Sequence, residues 1–286
     1  MNDSPRFGPG GNSESFYASG RKATVEAPAW LHAIGLSAYE YQAGNGLTAS
    51  LSTLRKIGDK AKEYGIAMSL HAPYYISIAS PEEEKRNKSI HYIHRSLEAA
   101  EALGADTIVI HCGGVAKQTR EEGMAHSKAT LTSLLSTLPA DLRIRLGLET
   151  MGRKNLLGTV DEVVELCSLD PRLYPVVDFG HLHARVCGGA FPDSDSYRRV
   201  FDRIGTVLGD RYAKTLHCHF SHIEFGAAGE IRHRTFAEEG YGPDFAPLAE
   251  VIAADGLSPR IICESAGTMA EDALLMKQTY LDAKAR

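Results

Sequence analysis

Nowhere in its 286 residues does the chain hold a run approaching the roughly 18 apolar residues that a membrane-spanning helix needs. Its start, MNDSPRFGPGG, is polar and has no apolar segment of the kind a secretory leader carries. The expectation is a cytoplasmic protein with no membrane partner. Cysteine is sparse: Cys112, Cys167, Cys187, Cys218 and Cys263 are dispersed, odd in number and form no C-x-x-C pair, which reads as reduced thiols rather than a disulfide framework. An excess of positive charge is also missing. With 31 Lys and Arg against 36 Asp and Glu the net charge is -5, so any contact with nucleic acid has to come from a local patch. The glycines of RFGPGGNSES form no G-x-G-x-x-G ahead of a clear helix, which counts against a dinucleotide fold. There is no internal repeat, no low-complexity segment and no sign of a protein partner.

The chain does have strand and helix in alternation. Short apolar or β-branched stretches occur at 38–42, 67–71, 107–111, 144–149, 174–178, 215–220 and 260–264, and 6–8 as an abbreviated first strand makes eight. Helical patterns fall between them at 47–64, 121–138, 194–208, 245–255 and 269–283. Ser80-Pro81-Glu82-Glu83 looks like the start of a long helix that stops near Leu103-Gly104, and Thr159-Val160-Asp161-Glu162 has capping-box spacing. Parallel neighbours cannot be joined by a tight hairpin, so this alternation implies helical crossovers. Eight units imply an α/β fold, a (β/α)8 TIM barrel, as a single domain over 1–286 with an irregular excursion at about 221–242. A hydrophobic fraction of 43% suffices for the core of such a barrel.

Imidazoles and carboxylates recur where those strands end: His71, His111, Glu149, Asp178, His181, His217, Glu230, His233 and Glu264. Strand C-termini of a barrel converge on one mouth, which makes neighbours of residues 30 or 40 positions apart, roughly one βα unit. Six successive strand ends carry a ligand type, and that many acids without cations would be costly to bury. These donors suit Zn²⁺, Mn²⁺ or Fe²⁺, and a carboxylate can bridge two ions. His217 and His219 share one strand face, and the register with Thr215-Leu216 favours His217. His222 and Glu224 are either partners of a ligating imidazole or solvated loop residues. Cys112 and Cys263, beside proposed ligands, are expected to be small apolar packing groups.

His71 with Tyr74-Tyr75, His111-Cys-Gly-Gly, Glu149-Thr, Asp178-Phe-Gly-His181, His217 and Glu264-Ser together resemble the endonuclease IV family, within the wider group of xylose isomerase-like barrels. That family is a (β/α)8 barrel with three zinc ions that hydrolyses the DNA phosphodiester 5′ to an abasic site. The resemblance implies two or three Zn²⁺ ions, with Mn²⁺ or Fe²⁺ accepted by the same ligands, and DNA with abasic or damaged sites as partner. It implies that His71, His111 and Glu149 hold one ion, and that Glu149 bridges to a second held by Asp178, His217 and Glu264. A third would rest on His181 and on Glu230 and His233, where the chain departs from the family's Asp-x-His. Glu149 and Glu264 would be catalytic, positioning a water ionised between the metals. Tyr74 and Tyr75 would bind substrate, since the family places a DNA-wedging loop there. Basic candidates near the mouth are Lys117, Arg120, Arg153, Lys154, Arg185, Arg232 and Arg234, whereas Lys85, Arg86 and Lys88 read as a solvated ion-paired helix face. The alternative is a sugar isomerase or epimerase of the same barrel group using Glu149, Asp178, His217 and Glu264 around one ion.

Overall fold

The computed structural model describes residues 4–286. Its elements run β1 Arg6–Pro9, α1 Glu14–Ala18, α2 Ala27–Ile34, β2 Ala38–Gln42, α3 Leu51–Tyr64, β3 Ala67–His71, α4 Glu83–Leu103, β4 Thr107–His111 and α5 Arg120–Ser136. They continue through β5 Arg145–Glu149, α6 Val160–Cys167, β6 Leu173–Asp178, α7 Phe179–Arg185, α8 Ser194–Leu208, α9 Asp210–Lys214 and β7 His217–Phe220. The hairpin β8 His222–Gly226 and β9 Gly229–Arg234 follows, then α10 Ala246–Ala254, β10 Arg260–Cys263 and α11 Met269–Ala285. Among the described residues no helix is long and apolar enough to cross a membrane.

Eight of these strands form one parallel sheet in the order β1-β10-β7-β6-β5-β4-β3-β2. A bridge from Gly10 to Glu40 joins its two ends, with the Gly11 amide donating to the Glu40 carbonyl at 2.9 Å. The chain is thus a (β/α)8 TIM barrel. At this seam the strands come so close that a Cβ on Gly8 would overlap the Ala38 carbonyl group. Helices pack outside the sheet over a buried layer that includes Phe7, Leu54, Ile57, Leu97, Leu131, Leu134, Val163 and Leu166. At the N-terminal end Arg260 makes paired contacts of 2.7 and 2.6 Å with Asp106 on the other side of the barrel.

The strand expectations hold within about two residues. Two helices begin later than their sequence cues suggested. Ser80 accepts from the Glu82 amide, and α4 starts only at Glu83, because Ser80 is followed by a proline-led turn. α3 starts at Leu51, where Ser50 accepts from the Thr53 amide. The capping box Thr159 to Glu162 opens α6, and Gly104, at a φ of 68°, ends α4. α1, α2, α7 and α9 lacked a legible periodic run. The segment expected to be irregular folds largely as the β8–β9 hairpin.

The seam yields the first test. A Gly8→Ala substitution is expected to destabilise the protein by about 3 kcal/mol or more, because backbone would have to move to admit the methyl. Urea unfolding measures this, and an unchanged midpoint would show that the seam tolerates a Cβ.

Candidate metal centre

The sheet register decides which side chains meet. His111 pairs with Glu149 across β4 and β5, and Asp178 pairs with His219 across β6 and β7. His217 pairs instead with Val176, one pleat lower. His219 is therefore the strand-seven group at the mouth, and the expectation of His217 is corrected. Two residues along a strand preserve the face but move the side chain by about 6.6 Å, a shift the sequence leaves open.

Glu149 is fully buried at the centre of the mouth. Its Oε2 lies 3.0 Å from His111 Nε2 and 3.4 Å from His71 Nε2, and its Oε1 lies 2.9 Å from His219 Nδ1 and 3.5 Å from His181 Nδ1. Glu264 reaches the same place, 3.4 Å from His219 Nδ1. At the mouth three overlapping groups have ligand atoms close enough to share an ion: His71, His111 and Glu149; Glu149, Asp178, His219 and Glu264; and Asp178, His181 and His233; a fourth, Glu40, His217 and His219, lies one layer below. Glu149 Oε2 and Asp178 Oδ2 are buried with no aligned hydrogen bond, which suits the donor set to cations.

The imidazoles are oriented from behind. His71 Nδ1 engages the Ala72 carbonyl at 2.8 Å, His181 Nδ1 the Thr150 carbonyl at 2.9 Å, and His233 Nδ1 the Ser221 hydroxyl at 2.7 Å. Each contact leaves Nε2 turned to the cluster, as metal-binding histidines are commonly held. The Asp178-x-x-His181 spacing has a local cause. Asp178 ends β6 and caps α7, with Oδ1 accepting from the His181 amide at 2.6 Å, so Oδ2 stays free and His181 stands on the first turn.

The departure at Glu230-x-x-His233 is resolved by the backbone. In the hairpin Phe225 pairs with Glu230 and Glu224 with Arg232, so Ile231 is an extra residue at a bulge. The bulge makes an i,i+3 pair behave as i,i+2, and Glu230 and His233 both turn to His181. Glu230 Oε2 stands 3.5 Å from His181 Nε2, and the rings of His181 and His233 are 5.3 Å apart. The hairpin is laced to the loop after β5 by Lys154 N to Ala228 O at 3.0 Å and Glu230 N to Gly152 O at 3.3 Å. Gly229, at a φ of 95°, comes so close to that loop that a Cβ would collide with the Gly152 carbonyl.

Above these groups opens a cavity of about 590 Å³, lined by Gln42, Tyr74, Arg153, Leu156, Met269 and the cluster itself. The two tyrosines part company: Tyr74 lies over His111 at 5.3 Å in the cavity wall, whereas Tyr75 packs edge-on to Tyr92 at 4.6 Å beside a separate small pocket. Most of the basic candidates are already engaged. Arg120 pairs with Glu162, Arg232 and Arg234 pair with Glu224, and Arg185 donates to the carbonyls of Met151 and Arg153. Arg153 lines the cavity, Lys154 rests 3.1 Å from Cys187 Sγ, and Lys117 is exposed. His222 stacks on Phe236 at 4.7 Å, away from the ligands. Cys112 and Cys263 are buried, and burial pushes both thiols up to about 12.

Sequence reading missed Glu40 altogether. It is fully buried within the barrel on β2, mid-strand rather than at a strand end, and its carboxylate meets His217 and His219.

Electrostatics reflect a crowded site. Burial works to raise Glu149, but the imidazoles of His219 and His111 outweigh it and hold the carboxyl well below its usual range. Burial pushes Asp178 up despite His181 and His233, with Glu264 and Glu149 adding to the rise. Burial would lower His181, yet Asp178, Glu230 and Glu149 hold it up at about 9.

The sequence model of a family described as xylose isomerase-like TIM barrel matches residues 28–279. An uncharacterized protein of Methanocaldococcus jannaschii is 33% identical over 221 residues, 76% of this chain and 79% of that protein. A protein named probable endonuclease 4 from Staphylococcus carnosus is 30% identical over 173 residues, 58% of this chain and 56% of its own length. Among solved structures, endonuclease IV from Thermus thermophilus superposes with a TM-score of 0.68 at 19% identity, covering 97% of this chain and 99% of that one. A D-tagatose 3-epimerase-like protein superposes with a TM-score of 0.71 at 18% identity, covering 98% of each. At these identities the structural likeness is one of fold.

A histidine raised above its ordinary 6.5 stabilises the folded chain fully below that pH and loses the contribution as pH climbs through its folded value. Metal-free protein is therefore expected to lose stability between pH 6.5 and about 9, the range His181 spans. His71 and His219 act in the same direction, because the carboxylates around them raise both above 6.5 against the effect of burial. Denaturation of chelator-treated protein across that interval checks this, and stability that rose with pH would contradict it.

Proposed function

This chain belongs to the xylose isomerase-like TIM barrel family, and from that premise we propose that it is a metal-dependent phosphodiesterase that cuts the DNA backbone 5′ to abasic or damaged sites, as endonuclease IV does. The observation that carries the reading is the convergence of three ligand groups at one mouth, two of them joined through Glu149. In this reading His71, His111 and Glu149 hold one ion, Glu149, Asp178, His219 and Glu264 a second, and His181, Glu230 and His233, with Asp178 beside them, a third. Zinc suits this set of imidazoles and carboxylates, with Mn²⁺ or Fe²⁺ as alternatives. Ions bound there would ionise a water near neutral pH and offset the charge of a phosphodiester.

The protein's own side chains have separate tasks. Glu149 and Glu264 border the cavity and orient the attacking water, with Glu264 the more accessible to take its proton. In the metal-free site burial acts to raise Glu264, but His219 outweighs it and holds the carboxyl down at about 2. Tyr74, half exposed at the rim, presents a ring face to sugar or base. Arg153 is the cation placed to meet a phosphate oxygen.

A second reading has its own support. Glu149, Asp178, His219 and Glu264 make a complete four-ligand set for a single ion, and a cavity of about 590 Å³ admits a free sugar. This would be an isomerase or epimerase of the same barrel group. An assay with an abasic duplex and Zn²⁺ or Mn²⁺ decides between the two. Incision 5′ to the lesion, reduced at least about 100-fold in Glu264→Gln with metal still bound, is the expected result. No incision by metal-loaded wild type, together with interconversion of ketose epimers, would establish the second reading instead.

The charge at the mouth sets a further expectation for DNA. Each phosphate neutralised contributes about -0.9 to the slope of log K against log salt. With Arg153 lining the cavity, and Lys154 and the exposed Lys117 as further cations that pair with no acid among the described residues, duplex affinity should fall with a slope of roughly -3. A slope two or three times as steep would show that a larger basic surface makes the contact.

A further inference from the structure

His219 is the exception among the clustered histidines. His71, His181 and His233 are held from behind through Nδ1, but His219 turns Nδ1 towards Glu149 and Glu264 and leaves Nε2 pointing down into the barrel. An imidazole that gives one nitrogen to a cation carries its proton on the other, and a fully buried N–H needs an acceptor. Nε2 has no aligned hydrogen bond in this structure, and 3.0 Å away lies Oε1 of Glu40. That carboxylate is itself fixed: Oε2 accepts from Ser69 Oγ at 2.9 Å and contacts His217 Nε2 at 3.0 Å, and Oε1 is 3.4 Å from Gln42 Nε2.

The geometry points to Glu40 as a positioning residue that takes the Nε2 proton of His219 in a hydrogen bond and thereby presents the Nδ1 lone pair to the ion held by Glu149, Asp178 and Glu264. His217 and Ser69 are the supports that hold the Glu40 carboxylate in place. His217, the strand-seven histidine that does not reach the mouth, thus gains a role one layer below it. With an ion bound this would be a carboxylate–histidine–metal relay inside the barrel, whereas His71 and His181 are held by backbone carbonyls and His233 by a hydroxyl.

This inference rests on the metal centre described above, and its test separates the two. Wild type, Glu40→Gln and Ser69→Ala are stripped with chelator, checked by melting, and titrated with Zn²⁺ against a chromophoric competitor. Each is also loaded with Co²⁺ and its visible spectrum recorded. Glu40→Gln keeps the size of the side chain but loses the charge, and is expected to weaken the affected ion about 10–100-fold and alter the Co²⁺ spectrum. Ser69→Ala, which removes one support, should weaken it several-fold, and this decides the matter if Glu40→Gln does not fold. Wild-type affinity and an unchanged spectrum in the folded variants overturn the role of Glu40. Failure of wild type to bind Zn²⁺ at all overturns the metal centre itself.

Discussion

A buried negative charge on Glu149 is the constraint around which the mouth of this barrel is organised. A carboxylate removed from water is costly unless its charge is met, and here four imidazoles stand within 3.5 Å of its two oxygens. Those imidazoles come from β3, β4, β7 and the first turn of α7, so a single side chain ties together four units of the fold. Asp178, Glu264 and Glu230 then crowd more negative charge into the same space, which without cations only protonated imidazoles can offset. Divalent cations would relieve that crowding, and the buried oxygens without aligned partners are where they would act.

Much of this was legible in the sequence because two periodicities are simple. Short apolar runs at regular spacing mark parallel strands, and a ligand residue at the end of each run marks the mouth, so His71, His111, Glu149, Asp178 and Glu264 could be named from the order of residues alone. What could not be read depends on register. His217 and His219 share a face and differ only in height, and the height follows from how β7 pairs with β6. Glu40 sits in the middle of a short strand, AYEYQ, where an acid looks like an exposed edge residue, and only barrel closure shows it to be internal. The pairing of Glu230 with His233 needed the bulge at Ile231, whose signature no local pattern carries.

The surroundings of the cluster bear on substrate in two directions. Ligand number and the presence of carboxylates shared between groups favour phosphodiester chemistry, in which charge must be offset at more than one oxygen. The basic candidates near the mouth are mostly held by acids or backbone carbonyls, and they serve to fix the Met151 to Leu156 segment and the β8–β9 hairpin. In the proposed reading such a site would rely on shape and on a few close contacts at the cavity, with Tyr74 and Arg153 foremost, more than on long-range attraction.

The central claim is that one mouth holds a multinuclear centre, and the most direct measurement is elemental analysis of protein purified without chelator and incubated with excess Zn²⁺ before desalting. The three ligand groups predict two or three ions per chain. A single ion, or none, would contradict the account.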